Sequence, residues 1–147
     1  MEKLNLGRLF LNGFRWMDAS FVELLAEQGW REVPKSHSLV FPHLLEGGTR
    51  PAEIARRAGV SRQAIHQVLR DLRRKGLVEV KPDPTHRRAK LVFLTDLGMR
   101  FDDAVEEAAS RMEEALADRI GAKTVSSLRT ALESEWGPPM KRGGDLT

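Results

Sequence analysis

The sequence predicts a mainly α-helical protein with one small β-hairpin, which follows a helix-turn-helix and has further helices on both sides. Apolar residues recur at helical spacing through most of the chain, and only two short segments have strand character. The segment from Arg50 to Leu91 has 12 Lys and Arg residues against 4 Asp and Glu, although the net charge of the whole chain is only +3. Such a concentration of positive charge is typical of a surface that binds a polyanion.

The composition narrows the class of protein. A length of 147 residues with 41% hydrophobic and 31% charged residues is typical of a soluble domain with its own core. There are no cysteines, which excludes disulfides and thiolate metal sites. No apolar run reaches the roughly 18–20 residues of a membrane span, and the N-terminus has no cleavage signal. We therefore expect a cytoplasmic protein without a membrane partner.

The N-terminal part predicts two helices. Apolar residues recur every three or four positions from Leu6 to Leu25, which indicates a long amphipathic helix that ends near Gly29. A second, short helix is predicted over residues 36–45, and two glycines at positions 47 and 48 then break the chain.

The helix-turn-helix is predicted next. Its first helix should begin at Thr49 as the N-cap, with Pro51 in the first turn. Gly59 supplies the turn, and Ser61 caps the following helix, which is predicted over residues 62–75. Four apolar residues form the inward stripe of that helix: Ile65, Val68, Leu69 and Leu72.

The opposite face of this helix carries hydrogen-bonding side chains. It is centred on Gln63, Gln67, Arg70 and Arg74, with His66 alongside. A glutamine can bond the edge of adenine, and an arginine can bond guanine or a phosphate. The alternative is an ordinary solvated face, which would usually mix Glu with Lys.

Two short strands, residues 77–81 and 90–94, flank the sequence DPTHRRA and predict a hairpin. Arg87 and Arg88 lie near its tip. Thr95 or Asp96 should then cap a long helix that Gly121 ends. A last helix is predicted around Val125, Leu128, Leu132 and Trp136, and the Pro- and Gly-rich tail 137–147 is expected to be flexible.

These elements resemble the MarR family of winged helix-turn-helix transcriptional regulators. The specific part is AEIARRAGVSRQAIHQVLRDLRRKGLVEV, followed by DPTHRRAKLVFLT running into a helix. The resemblance implies a homodimer with interlocked terminal helices, recognition helices in successive major grooves of a pseudo-palindromic operator, and wings at the minor grooves. It also implies that a small ligand, often aromatic, alters the affinity for DNA.

The chain departs from the family pattern at two points. The family wing commonly reads Asp-x-Arg, whereas here His86 replaces the acid and Arg88 matches the arginine. The recognition helix often contains Asp-Arg, whereas this chain has Arg70-Asp71. The usual ion pair between helix and wing is therefore in doubt, and Asp83 is a candidate substitute as the partner of Arg88.

The predicted organisation is a dimerisation helix at 1–33, a DNA-binding lobe at 34–95, closing dimerisation helices at 96–136 and the tail. Arg62, Arg73, Arg74 and Lys75 are expected at phosphates, and Arg87 at a minor groove or at phosphate. The candidate DNA contacts are Thr49, Arg50, Ser61, Arg62, Gln63, Ala64, His66, Gln67, Arg70, Arg74, Arg87, Arg88 and Lys90.

A ligand site, if present, would use aromatic residues near the first helix: Phe14, Trp16, Trp30, His37 and Phe41. The alternative is that these rings form core. The four histidines lack zinc-like spacing, so no metal or other cofactor is expected. No catalytic motif is present, so an enzyme is not expected. The sequence therefore predicts a sequence-specific, double-stranded-DNA-binding regulator, a homodimeric repressor relieved by a small ligand. The alternative is a winged-helix protein-interaction module without a DNA target.

Overall fold

The computed structural model describes residues 3–32 and 35–141, without the side chains of residues 35 and 36. Two compact units divide the chain between Ser110 and Arg111. In chain order the elements are α1 (Leu6–Glu27), two short 3₁₀ helices (Lys35–Leu39 and Phe41–His43), α2 (Pro51–Ala58), α3 (Arg62–Arg74), β1 (Val78–Pro82), β2 (Lys90–Leu94), α4 (Asp96–Ile120) and α5 (Ala122–Glu133). The mainly helical fold class with one hairpin is thus confirmed.

Side-chain caps fix the beginnings of three helices. The Asn5 carboxamide oxygen accepts a hydrogen bond from the Arg8 amide at the start of α1, over 3.0 Å. Ser61 caps α3 as predicted, because its hydroxyl accepts from the Ala64 amide over 3.1 Å. The sequence offers Thr95 and Asp96 as caps of α4. Thr95 is the cap, because its hydroxyl accepts from the Gly98 amide in the first turn of the helix.

The predicted cap of α2 is wrong. Arg50 occupies the N-cap position of α2, and no side chain caps this helix. The preceding residue, Thr49, is held elsewhere, because its amide and carbonyl both bond Val92 of β2 at 3.1 and 2.9 Å. Its hydroxyl accepts from the Leu45 amide. Thr49 therefore pairs with β2 and does not cap α2, although its local sequence predicts the cap.

The helix expected over residues 36–45 is also wrong. Two 3₁₀ helices stand there, with i→i+3 bonds from the Val40 amide to the His37 carbonyl and from the His43 amide to the Val40 carbonyl. Pro42 has no amide hydrogen, so a continuous α-helical ladder cannot run through it. The tighter turns still place Val40 and Phe41 in the core.

The core lies beneath α3 and the hairpin. On α3 the residues Ile65, Leu69 and Leu72 are buried, as the helical spacing predicts. The antiparallel hairpin, which pairs Val78 with Leu94 and Pro82 with Lys90, contributes Val78 and Val92 to the same core. This packing fixes α3 and the hairpin as neighbours, with the outer face of α3 left to solvent. Below, residues 78–94 are called the wing.

The C-terminal helices follow the predicted limits closely. α4 ends at Ile120, directly before Gly121, whose φ of +96° favours glycine. α5 ends at Glu133, so Trp136 lies beyond the helix, where its indole nitrogen donates to the Ala131 carbonyl. The prediction that Trp136 belongs to the last helix is therefore wrong. Residues 142–147 of the predicted flexible tail lie outside the described part of the chain.

Candidate nucleic-acid interface

The outer face of α3 is polar and open. Gln63, Gln67 and Arg70 are all exposed, and His66 is exposed beside them. The inward stripe of the same helix is buried, so the helix cannot rotate without exposing its apolar side. The structure thus presents two carboxamides and a guanidinium outward from one rigid helix. These groups can form forked hydrogen bonds to base edges.

The four acidic residues between Arg50 and Leu91 each neutralise basic neighbours. Glu53 binds Arg56 and Arg57, and these hydrogen bonds hold the pKa of Glu53 at about 2. On α3, Asp71 binds Arg74 and Lys75, which lowers the pKa of Asp71. The other two pairs are Glu79 with Lys81 and Asp83 with Arg50. Six of the twelve basic residues are therefore engaged within the protein.

The other six basic residues form no ion pair within the part of the chain that the structure describes. Three of them lie on α3 and three on the wing, and all are exposed. These six unpaired cations are Arg62, Arg70, Arg73, Arg87, Arg88 and Lys90. Within the segment from Arg50 to Leu91, the basic residues that form no ion pair in the described chain thus lie on two adjacent elements, α3 and the wing. This is the arrangement that a polyanion would meet.

The ion pair between Arg50 and Asp83 corrects one prediction. Asp83 was a candidate partner of Arg88, but the guanidinium that donates to it is that of Arg50, with Nε at 3.0 Å and Nη2 at 2.7 Å from Oδ2. Asp83 is only 8% exposed. The link between helix and wing therefore exists in this chain, with Arg50 before α2 as the arginine. Arg88 forms no ion pair with any residue that the structure describes.

Two further predicted contacts have internal roles. Thr49 is 3% exposed and its hydroxyl is occupied, so its side chain is not presented to a ligand. The Ala64 amide is bound to Ser61, and the Ala64 side chain is half-buried. Ser61 itself stays exposed at the N-terminus of α3, where the helix dipole favours an anion.

Three of the five predicted ligand residues lie together, as core. The rings of Trp30, His37 and Phe41 meet Phe101 of α4 edge-on, at centroid distances of 4.9, 5.2 and 5.7 Å. His37 and Phe41 are buried, so they line no open cavity. Phe14 is 64% exposed on α1, and Trp16 is half-buried on the same helix.

Sequence reasoning missed Phe101, the centre of this cluster, because helical spacing marks it only as one more apolar position. Trp30 is half-buried and borders a cleft of about 430 Å³. Gln28, Arg100, Asp103 and Glu107 also line it.

Comparison with known proteins identifies the fold of this interface. The model of the MarR family matches residues 33–89, which include α2, α3 and the wing up to its tip. The winged helix-turn-helix of this chain is thus similar to that of the MarR family. The resemblance to the MarR family that the sequence predicts is confirmed. Nothing in the comparisons points to a catalytic activity.

Relatives of known sequence align with about half of the chain. The HTH-type transcriptional regulator PetP of Rhodobacter capsulatus is 31% identical over 84 residues, which are 57% of this chain and 51% of that protein. An uncharacterised protein of Mycobacterium tuberculosis is 36% identical over 80 residues, 54% of this chain and 56% of the relative. The chain thus spans little more than half the length of the relatives it matches.

Solved structures of MarR proteins share the fold over most of the chain. The reduced form of MarR from E. coli superposes with a TM-score of 0.73 at 23% identity, covering 90% of this chain and 97% of MarR. The complex of S. aureus MepR with DNA gives 0.69 at 22% identity, covering 88% and 95%. The likeness extends to the helices before and after the winged helix-turn-helix.

The structure explains how this chain departs from the MarR wing pattern. His86 stands where the pattern has an acid, and it lies exposed in the wing turn. The acid that anchors the wing is Asp83, three residues earlier. A signal for this was present in the sequence, because Asp-Pro-Thr favours an Asx-turn in which the carboxylate accepts from the residue two positions on. The Thr85 amide does donate to Asp83, over 2.9 Å.

Within the described residues, no group of three or more His, Asp or Glu side chains could hold a metal ion. In that same part of the chain, every helix is too short or too polar to cross a membrane.

Proposed function

We propose that this protein is a sequence-specific, double-stranded-DNA-binding transcriptional regulator that acts as a homodimeric repressor in the cytoplasm. The observation that carries the proposal is the sorting of charge. Six cations without an ion-pair partner in the described chain lie on α3 and the wing, and one of them, Arg70, shares the outer face of α3 with two amide side chains. The fold shared with the DNA complex of MepR supports the same conclusion.

The two kinds of group have different tasks in this proposal. Arg62, Arg73 and Lys90 bind phosphates and set the register of the protein on the duplex. Gln63, Gln67 and Arg70 read base edges in the major groove. Arg87 and Arg88 bind the minor groove or its phosphates, because a narrow minor groove attracts arginine. Affinity then comes largely from counterion release, and specificity from the few contacts to base edges.

A dimer is supported by exposed apolar residues on α1 and on α5. Leu6 and Phe14 of α1 are 72% and 64% exposed, and Leu9, Phe10 and Leu11 are exposed beside them. Leu128 and Leu132 of α5 are exposed as well. Large contiguous apolar patches are rare on monomers. A two-fold dimer that covers these faces would present two copies of α3 to half-sites about one helical turn, ~34 Å, apart.

Relief of repression by a small ligand is also part of the proposal. What supports it is the cleft beside Trp30, whose volume of about 430 Å³ lies in the range of small-molecule sites. Of the residues predicted for a ligand from the sequence, only Trp30 borders this cleft.

Selection of bound duplexes from a random pool tests the proposal. We expect a palindromic consensus with half-sites one turn apart. For about 6–10 phosphate contacts per dimer, affinity for that duplex should fall ~10³–10⁵-fold between roughly 50 and 200 mM salt. Failure to enrich any sequence, or a complex insensitive to salt, would overturn the proposal.

The alternative function, a protein-interaction module, predicts apolar residues on the outer face of α3. The exposed residues there are Gln63, Gln67 and Arg70, which argues against it.

A further inference from the structure

Three consecutive residues before α2 fasten the wing. Gly48 lies under the ring of Phe93, so close that a Cβ at Gly48 would stand 2.5 Å from the ring carbon Cζ. The backbone of Thr49 forms two hydrogen bonds with Val92 of β2. Arg50 then reaches Asp83, which directly follows the last residue of β1. The first two contacts hold β2, and the third is made to the other side of the hairpin.

Asp83 connects this fastening to the turn of the wing. Its Oδ2 accepts from Arg50, while Oδ1 accepts from the Thr85 amide over 2.9 Å and from the Thr85 hydroxyl over 2.7 Å. Its own amide donates to the Ala89 carbonyl, across the base of the turn. The bonds from Thr85, with that from Arg50, hold the pKa of Asp83 at about 2, so the carboxylate is ionised at neutral pH.

We propose that Arg50 and Asp83 are a positioning pair that fixes the direction of the wing relative to α2 and α3. Arg50 then acts through the wing and is not itself a phosphate contact. The proposal rests on the proposed DNA-binding function. An isolated two-stranded hairpin is marginally stable, so its tip needs a tie to the helical body. Arg50 donates to Asp83 through both Nε and Nη2. Arg87 and Arg88 at the tip of the wing have no acidic partner in the described chain.

The first test needs no DNA. Hydrogen exchange of the free protein would compare the wild type with Asp83→Asn and with Arg50→Gln. We expect the wing amides at positions 85–89 to exchange at least ~10-fold faster in both variants, while α3 keeps its protection. The matched control is Glu79→Gln, which removes an acid from β1 that binds only Lys81 of the same strand. Unchanged exchange of the wing in Arg50→Gln would overturn the proposal, and this exposed position avoids a folding failure.

The second test is a double-mutant cycle on a selected duplex. Replacing Arg87 and Arg88 by alanine should weaken binding of the wild type ~10-fold or more, but the Arg50→Gln variant only about threefold or less, because its wing is already displaced. A merely structural destabilisation would leave the full effect in both backgrounds, as would a direct phosphate contact by Arg50. Additive losses would therefore overturn the positioning role.

The two proposals fail in different ways. If the wild type binds no duplex, the proposed function fails, while hydrogen exchange still decides whether the pair holds the wing. If the wild type binds and the cycle is additive, DNA binding stands and the positioning role fails.

Discussion

At the scale of single residues, the interface is defined by which charges lack an internal partner. Arg70 and Arg74 lie one turn apart on the same face of α3, and from the sequence both are candidate DNA contacts. In the structure Arg74 donates to Asp71 over 2.6 Å, whereas Arg70 forms no ion pair in the described chain. The sequence located the basic segment and the polar face. The engagement of Arg74 agrees with the three-residue spacing from Asp71, whereas the engagement of Arg50 by Asp83 depends on the tertiary fold.

We predict different effects for these two arginines. Arg70→Ala should cost about 1–3 kcal/mol of binding free energy at a selected half-site, by loss of a bidentate contact, and Gln63→Ala should cost about as much. Arg74→Ala is the matched control and should cost less, because its guanidinium is already bound to Asp71. Titration of each variant with the selected and with a random duplex measures the loss of binding free energy on each. If Arg70→Ala and Gln63→Ala lost as much on the random duplex as on the selected one, neither Arg70 nor Gln63 would read bases.

At the scale of elements, helix ends set by local chemistry were predictable. Ser61 and Gly59 act as the sequence indicates, since a cap or a left-handed turn depends on neighbours within four residues. The errors fall where a distant segment intervenes. Thr49 pairs with Val92 and does not cap α2, and Asp83 binds Arg50, a residue 33 positions earlier. Neither partner can be identified from spacing along the chain.

The junction between α4 and the wing gives a test at this scale. A Cβ added at Gly98 would stand 2.0 Å from the Leu77 carbonyl oxygen, which also accepts from the Thr95 amide and cannot easily move. Gly98→Ala should therefore lower the free energy of unfolding by about 3 kcal/mol or more. Denaturant unfolding measures this. The control is Gly47→Ala, at a site with open space and no positive φ, which should stay within ~0.5 kcal/mol. A small effect at Gly98 would show that the junction can open without cost.

At the scale of the whole molecule, the exposed apolar residues of α1 predict self-association. Phe14→Glu should raise the dissociation constant of the dimer by about 100-fold or more, because a two-fold axis counts the lost burial in both subunits. Leu45→Glu is the control, since Leu45 is also exposed and apolar but does not belong to α1. Sedimentation equilibrium measures both. If the two variants assembled alike, α1 would not be the dimer face.

Half of the twelve basic residues between Arg50 and Leu91 are paired internally, and under the proposed function this pairing bears on how the protein would find its operator. Each phosphate contact strengthens binding to every duplex, whatever its sequence. With all twelve cations free, the protein would remain long on random stretches of chromosome and scan slowly. Glu53, Asp71, Glu79 and Asp83 reduce that adhesion, whereas Gln63, Gln67 and Arg70 stay exposed on the outer face of α3. Their carboxylates thereby favour rapid search over indiscriminate attachment.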